Sequence, residues 1–104
     1  MSIRGVRSAF QRQLVLDGFT LAQATVLAEL LDLTIENEDV AVFSIRKQNY
    51  SARFVSADIA RHVDELAMSF AGQLADDLKE QAGLANDQSI SDLIRLIERN
   101  DPVL

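Results

Sequence analysis

One apolar stripe in the second half of the chain constrains the fold more than any other feature. It advances by four, three, four, four and four residues, which is the spacing of one face of an α-helix. Its members are Ile59, Val63, Leu66, Phe70, Leu74 and Leu78. Ser56 and Asp58 precede the stripe and Gly83 follows it, so we predict a long helix within residues 57–82. The early steps also fit a heptad, and both a short coiled coil and a bundle helix remain open.

Two helices are predicted before this stripe, and together they form a helical hairpin over residues 1–37. The first carries an apolar side made of Ile3, Val6, Phe10 and Leu14. Gly18 allows a break, and Thr20 with Gln23 has the spacing of a capping box. The second helix is expected from Leu21 to about Thr34. Its apolar arc is wide and its polar positions include carboxylates, so it is suited to packing rather than to reading DNA.

Residues 40–55, VAVFSIRKQNYSARFV, allow two interpretations. The alternation of apolar and polar positions on either side of RKQN predicts two short strands. A helix can also be drawn, because Val40, Phe43, Tyr50 and Phe54 nearly keep coiled-coil spacing. The β-branched and aromatic content favours strands, so residues 38–56 are predicted to form a linker or a β-hairpin.

A short C-terminal helix completes the predicted fold. Ser89 and Asp92 are typical of a helix N-terminus, and Pro102 indicates that the helix ends before it. The sequence therefore predicts a helix over residues 89–100. Only 4 Gly and 1 Pro occur among 104 residues, and this favours long helices over a turn-rich β-sandwich. We therefore expect one mainly α domain over residues 1–104: a helical hairpin, a longer coiled-coil-like helix, a C-terminal helix and a short β-hairpin at 40–55.

The charge of the chain disfavours nucleic acid as a partner. The net charge is -6, which repels phosphate backbones and anionic membranes. Arg46, Lys47 and Arg53 with the intervening Tyr50 form the one constellation that could hold a single strand, through stacking and cations. Three cations on an acidic chain predict weak, salt-sensitive binding. We prefer the interpretation that these three cations form ion pairs with the acidic block of residues 36–39, within the molecule or across an oligomer.

No residue set in the sequence predicts catalysis, a cofactor or a metal site. His62 is the only histidine and the chain has no cysteine, so a zinc site lacks ligands. Asp76, Asp77 and Glu80 stand at helical spacing around Lys79 and are typical of a solvated helix face. We expect a protein that is not an enzyme.

The N-terminal residues 1–14, MSIRGVRSAFQRQL, carry arginines and no acid, as a mitochondrial presequence does. Their apolar spacing continues without a break to Gly18, which favours the first packed helix of the domain. No apolar run approaches the ~18 residues of a membrane span. We expect a cytoplasmic location, with a mitochondrial one as the alternative.

Two stretches resemble the head-and-stalk coiled-coil family that includes the mitochondrial calcium uniporter regulator and its bacterial relatives. SAFQRQLVLDGFTLAQATVLAELLD, residues 8–32, is similar to the head of that family: a helix, a Gly-Phe turn and a helix opening with Gln-Ala. FVSADIARHVDELAMSFAGQL, residues 54–74, is similar to the start of its stalk. The resemblance implies a homo-oligomeric, trimeric coiled coil whose head is held by a membrane-anchored stalk. This sequence departs from the pattern in its lack of a C-terminal anchor, in Gly83 and in the 40–55 insertion.

The amount of apolar helical surface predicts a protein–protein interaction module, an oligomeric helical scaffold or adaptor that binds itself or another helical protein. Its predicted interaction surface comprises Leu21, Leu27, Leu31, Ile59, Val63, Leu66, Phe70 and Leu74. Polar contacts are predicted for Glu29, Asp32, Glu36, Arg46, Lys47 and Arg53. Two alternatives stay open. One is a small acidic regulator, such as a phage-type inhibitor or antitoxin, that occupies a basic surface through its carboxylates. The other is a weak nucleic-acid binder that uses the basic constellation.

Overall fold

The computed structural model describes residues 3–45, 50–82 and 87–99, and this part of the chain forms four helices and one small sheet. In chain order the elements are α1 (Ile3–Leu16), α2 (Leu21–Glu29), β1 (Leu31–Asn37), β2 (Val40–Ile45), β3 (Tyr50–Val55), α3 (Ile59–Gln81) and α4 (Asp87–Glu98). The fold is mostly helical, as predicted, but it is mixed rather than purely α, because a three-stranded antiparallel sheet occurs where a short β-hairpin was expected. α3 is the long helix that the apolar stripe predicts.

The second helix is shorter than predicted, because its expected last turn is a strand. α2 ends at Glu29, and the backbone N–H of Leu30 still donates to the carbonyls of Val26 and Leu27. From Leu31 the chain turns into β1 and pairs with β2. The prediction of helix as far as Thr34 was wrong because pairing with a neighbouring strand, which is a tertiary effect, outweighs helical spacing here.

The three strands form an antiparallel sheet in the order β1-β2-β3. Phe43 on the central strand stands between Leu33 of β1 and Ala52 of β3. The strand interpretation of residues 40–55 is confirmed for β2 and β3, while residues 46–49 lie outside the described part. β1 was not predicted as the third strand.

An aromatic cluster joins the helices to the sheet. The ring of Phe70 on α3 lies 5.9 Å from that of Phe10 on α1 and 5.7 Å from that of Phe43 on β2, centroid to centroid. Phe54 of β3 meets Phe43 edge to face at 5.6 Å. These offset and edge-on arrangements are the favoured geometries for aromatic pairs. α1 is therefore a packed helix of the core.

The turn between α1 and α2 is fixed to the far end of α3. Gly18 adopts a positive φ of 102°, a backbone conformation that L side chains rarely accept. The Lys79 ammonium donates a hydrogen bond to the carbonyl oxygen of Asp17 and lies 5.9 Å from the ring centroid of the buried Phe19. The side chain of Gln13 donates to the Asp17 carboxylate. These contacts hold the turn in one conformation.

The capping box at the start of α2 also ties α2 to α4. The Thr20 hydroxyl accepts from the Gln23 backbone N–H at 3.1 Å, and the Gln23 side chain accepts from the Thr20 N–H at 2.9 Å. The Gln23 side chain is only 6% exposed, and its Nε2 donates to the Ser91 hydroxyl of α4 at 2.9 Å. The predicted capping box is confirmed, and it has a tertiary role besides the local one.

Replacing Gln23 with alanine should lower the free energy of unfolding by about 2 kcal/mol, because a cap and a buried inter-helix hydrogen bond are lost together. Urea denaturation followed by circular dichroism measures this change. Gln88→Ala is the matched control, since that glutamine is exposed on α4 and its side chain donates to the Asp92 carboxylate of the same helix at 3.0 Å. We expect the control to cost less than about 0.5 kcal/mol. Equal losses would contradict the assigned role of Gln23.

Candidate interaction surface

Most of the residues predicted to face a partner lie inside a single chain. Leu27, Leu31, Ile59, Val63, Phe70 and Leu74 are buried members of the core. Leu66 is half-buried against the same core. Leu21 alone among the eight is exposed, at 64%. The structure corrects the sequence interpretation here, because α1, α3 and the sheet of one chain cover each other. An interface of this folded chain must therefore combine Leu21 with side chains outside this set.

The residues predicted to make polar contacts differ in their exposure and in their ion pairs. Glu29 is exposed and Asp32 is half-buried. Arg53 and Glu36 form an ion pair at 3.4 Å across the sheet. One residue of the acidic block therefore pairs with this cation within the molecule. Arg46 and Lys47 lie outside the described residues.

Tyr50 is not free to serve as a stacking platform for bases. Its hydroxyl accepts a hydrogen bond of 2.6 Å from the Gln81 side chain on α3, and the ring packs against the core. Burial raises the pKa of the Tyr50 hydroxyl, with a smaller opposing effect from Gln81 and a further rise from the negative charge of Asp77. Tyr50 is therefore a structural side chain that links the sheet to α3.

Six large apolar side chains are exposed in the described part of the chain, and they are unevenly placed. They are Ile3, Val15, Leu16, Leu21, Ile35 and Val55. Three of them surround the turn between α1 and α2, and two lie on the sheet. Scattered exposed apolar residues need no explanation, but a group of them can mark a binding surface.

The first group is the hairpin end, which we define as Arg12, Val15, Leu16 and Leu21. A hydrogen bond of 3.1 Å between the side chains of Gln11 and Thr25 pins α1 to α2. Val15 follows Gln11 by one turn and Leu21 precedes Thr25 by one turn, so both lie on that side of the hairpin, next to the α1–α2 turn. Leu16 is 71% exposed at the last position of α1.

Cations dominate the outer side of α1. This helix contains three arginines and no acid. Arg7 is half-buried and donates to the carbonyl oxygen of Leu31 at 3.3 Å. Arg4 and Arg12 are exposed, and neither forms an ion pair with a described residue. Arg12 precedes Leu16 by one helical turn, so a free cation flanks the exposed leucine.

The second group is the sheet end, which we define as Val55, Glu38 and Asp39. Ile35 is in register with Ala41 and Phe54 and therefore lies on the opposite, core-facing side of the sheet. Val55 is 72% exposed. Backbone N–H groups of Ser56 and Ile59 donate to the carbonyls of Asp39 and Glu38, which fixes the β1–β2 turn to the start of α3. The carboxylates of Glu38 and Asp39 form no ion pair with a described residue. They border an open hollow of about 410 Å³ that also contacts Asp58 and Ala60.

These two ends lie at opposite ends of α3. The sheet end is bonded to Ile59, and the hairpin end is bonded to Lys79. Twenty residues of helix separate Ile59 from Lys79, which at ~1.5 Å per residue is about 30 Å. The longest dimension of the molecule is 39 Å. The two ends are therefore close to the two poles of the long axis.

Groups that could support chemistry are dispersed in the described residues. His62 is exposed, and its Nδ1 lies 3.8 Å from a Glu65 carboxylate oxygen on the same helix. No group of three potential metal ligands comes together among residues 3–45, 50–82 and 87–99.

A cleft of about 220 Å³ between α2 and α4 is bordered by Val26 and Ile94, and the side chain of Gln23 in its wall donates a hydrogen bond to Ser91. Within the same ranges, every helix falls short of the length or apolarity needed to cross a membrane.

Comparison of the chain with protein-family models, curated proteins and solved structures finds no match. The resemblance to the calcium uniporter regulator family therefore stays a prediction. The structure does qualify one feature of it. The apolar stripe of α3 packs against α1 and the sheet of the same chain, so the predicted coiled coil is not formed by these residues in one folded chain.

Proposed function

We propose that this chain is a non-enzymatic protein–protein interaction module, an oligomeric scaffold or adaptor that associates with itself through the hairpin end. The observation that carries the proposal is the exposure of Leu16 and Leu21, 71% and 64%, beside a turn that α3 holds in place. Apolar side chains on a fixed turn lose little conformational entropy when a partner covers them. The same leucines on a mobile loop would bind less well.

The composition around these leucines is that of a small interface. Leu16, Leu21 and Val15 supply apolar area, and Arg12 lies at their edge. Interfaces commonly have an apolar centre and a polar rim in which arginine is enriched. Burial of apolar area contributes about 25 cal/mol per Å², from which the cost of association must be subtracted. We therefore expect weak self-association.

Sedimentation velocity tests the proposal. The weight-average mass of the wild-type protein should rise between about 1 µM and about 1 mM, the range in which small interfaces assemble. The double variant Leu16→Ser, Leu21→Ser should stay monomeric over this range and keep the wild-type free energy of unfolding within about 0.5 kcal/mol. Ile3→Ser is the matched control, because Ile3 is an exposed apolar residue at the other end of α1. It should associate like the wild type.

Two results would contradict this function. One is a wild-type protein that stays monomeric at every concentration. The other is a double variant that associates as strongly as the wild type. Raising the salt concentration should weaken association by less than about tenfold, because apolar contacts are not screened.

The second candidate function is the small acidic regulator. The carboxylates of Glu38 and Asp39 at the sheet end, which form no ion pair with a described residue, favour it, since a basic surface on a target would complement them. Glu29 is exposed but lies on α2, away from the sheet turn along the chain. A monomeric wild-type protein that binds a polycationic peptide, and releases it when the salt is raised, would favour this candidate over self-association.

A further inference from the structure

We propose that the outer edge of β1 binds an extended segment of a partner protein, which adds to the sheet as a fourth strand and in which basic and apolar residues alternate. This site is separate from the hairpin end and does not rest on self-association. β1 combines an unpaired backbone edge, exposed apolar surface on its core-facing side and carboxylates on its opposite side.

β1 is an edge strand that pairs on one side only. The sheet order β1-β2-β3 leaves β2 as its neighbour, and within residues 3–45, 50–82 and 87–99 no other backbone bonds to residues 31–37. Regular pairing extends from Leu31 to Ile35, and the register shifts before Asn37. The Leu31 carbonyl accepts from Arg7 at 3.3 Å, so the unpaired groups follow it. Alternate N–H and C=O groups of this stretch point away from β2, and such groups can accept an added strand.

The core-facing side of β1 has uncovered apolar surface at this edge. Leu33 is in register with Phe43 and Ile35 with Ala41, and both β2 residues are fully buried. Leu33 is nevertheless only half-buried, and Ile35 is 39% exposed. α3 packs against β2 and β3, so its cover is incomplete over β1. Apolar side chains on the same face of an added strand would cover Leu33 and Ile35.

The opposite side of β1 is acidic. Asp32 is half-buried and forms no ion pair with a described residue, while the exposed Glu36 reaches Arg53 on this face at 3.4 Å. Residues 13–45 contain six carboxylate side chains and no lysine, arginine or histidine. Lysine or arginine on this face of an added strand would lie next to Asp32 and Glu36, and opposite charges stabilise a strand pair. The partner segment should therefore alternate basic with apolar residues.

The same carboxylates disfavour a second copy of β1 as the added strand. Antiparallel pairing of two β1 strands would place Asp32 and Glu36 of both copies on one face, and like charges across a strand pair are destabilising. Charged residues on edge strands commonly prevent a sheet from pairing with its own copy. The edge of β3 is a poorer receiver for a basic segment, because its core-facing side packs against α3 and its opposite side carries Arg53.

A peptide that alternates lysine and valine, blocked at both ends, is the probe for this edge. Seven residues match the length of β1. Titration into isotope-labelled protein, followed by nuclear magnetic resonance, should show saturable binding with a Kd below about 1 mM. The largest shifts should fall on the backbone amides of residues 31–36, and hydrogen exchange of these amides should slow, because outward N–H groups gain acceptors. A peptide that alternates glutamate and valine should not bind.

Thr34→Lys should weaken binding of the lysine–valine peptide by about tenfold or more. Thr34 lies between Asp32 and Glu36 on the acidic side, so the variant places a cation where the peptide lysines lie. Ser51→Lys is the matched control, because it adds the same charge at an exposed position on the same side of β3. It should bind within about twofold of the wild type. Circular dichroism checks that both variants are folded.

A lysine–valine peptide that is N-methylated at every residue separates strand addition from charge attraction. It keeps the side chains and the charges but has no backbone donor, so it should not bind detectably. Binding as strong as that of the unmethylated peptide would overturn the proposal. Shifts centred on Glu38 and Asp39 instead of β1 would overturn it as well, and so would equal weakening by Thr34→Lys and Ser51→Lys.

The outcomes also separate this inference from the proposed function. The double variant Leu16→Ser, Leu21→Ser should bind the peptide like the wild type, because its changes lie at the hairpin end. A wild-type protein that self-associates but does not bind the peptide would overturn the β1 site alone. A monomeric protein that binds it along β1 would contradict self-association alone. Slowed exchange of the β1 amides in concentrated protein without peptide would assign the edge to a second copy and overturn the choice of partner.

Discussion

Leu27→Asp should unfold the protein at every concentration, whereas Leu21→Asp should leave it folded. Leu27 is fully buried within one chain, and a carboxylate at that position would lose its hydration without gaining a partner. We expect a loss of about 4 kcal/mol or more, a large part of the ~5–15 kcal/mol that holds a domain together. Far-UV circular dichroism and urea denaturation measure the effect.

The Leu21 variant is a matched control, with the same substitution on the same helix at a side chain that is 64% exposed. Its free energy of unfolding should change by less than about 1 kcal/mol. The pair distinguishes a residue of the core from an exposed residue. If Leu27→Asp stayed folded as a monomer, Leu27 would face a partner, as its sequence pattern suggested, and the core described above would be wrong.

Phe70→Ala should have the second largest effect, a loss of about 3–5 kcal/mol in the free energy of unfolding. The Phe70 ring contacts both Phe10 and Phe43, so its removal leaves a cavity where α1, α3 and the sheet meet. Urea denaturation at two protein concentrations measures the loss. It should be independent of concentration, because these contacts lie within one chain.

Phe54→Ala provides the comparison for Phe70. Phe54 is half-buried and contacts Phe43 at the side of the aromatic cluster. We expect about half the loss seen for Phe70, because neighbouring solvent can fill the space. A cost for Phe54 as large as that for Phe70 would show that the centre of the core lies nearer to β3.

Local signals in the sequence predicted several elements well. The capping box of Thr20 and Gln23 is present in the structure, and the turn at Gly18 has the positive φ that glycine permits. The stripe from Ile59 to Leu78 forms α3. These features depend on residues that are close along the chain, so the sequence pattern alone is sufficient to predict them.

The first strand was missed because its sequence satisfies two periods at once. Leu31, Leu33 and Ile35 alternate with polar residues, as in a strand, and they also continue the apolar arc of the preceding helix. β2, which follows in the chain, decides between the two by pairing Leu31 with Ile45 and Leu33 with Phe43. A local pattern does not contain that information.

Which apolar side chains stay exposed could not be predicted for a related reason. Periodicity shows that the faces containing Leu27 and Phe70 must be covered, but it does not show whether the cover comes from the same chain. The structure provides that cover through α1 and the sheet. The sequence of α1 does indicate which apolar residues stay exposed. Val15 and Leu16 lie outside the apolar stripe of that helix, which consists of Ile3, Val6, Phe10 and Leu14.

The packing of α1 on α3 affects how the protein emerges from the ribosome. Phe10 meets Phe70, so the N-terminal helix lacks its main partner until 60 more residues have been synthesised. Until then its apolar side is open to chaperones and to other nascent chains. Contacts this distant in sequence also slow folding. Ribosome-bound fragments that end before α3 should remain protease-sensitive, and resistance should appear once α3 has left the exit tunnel.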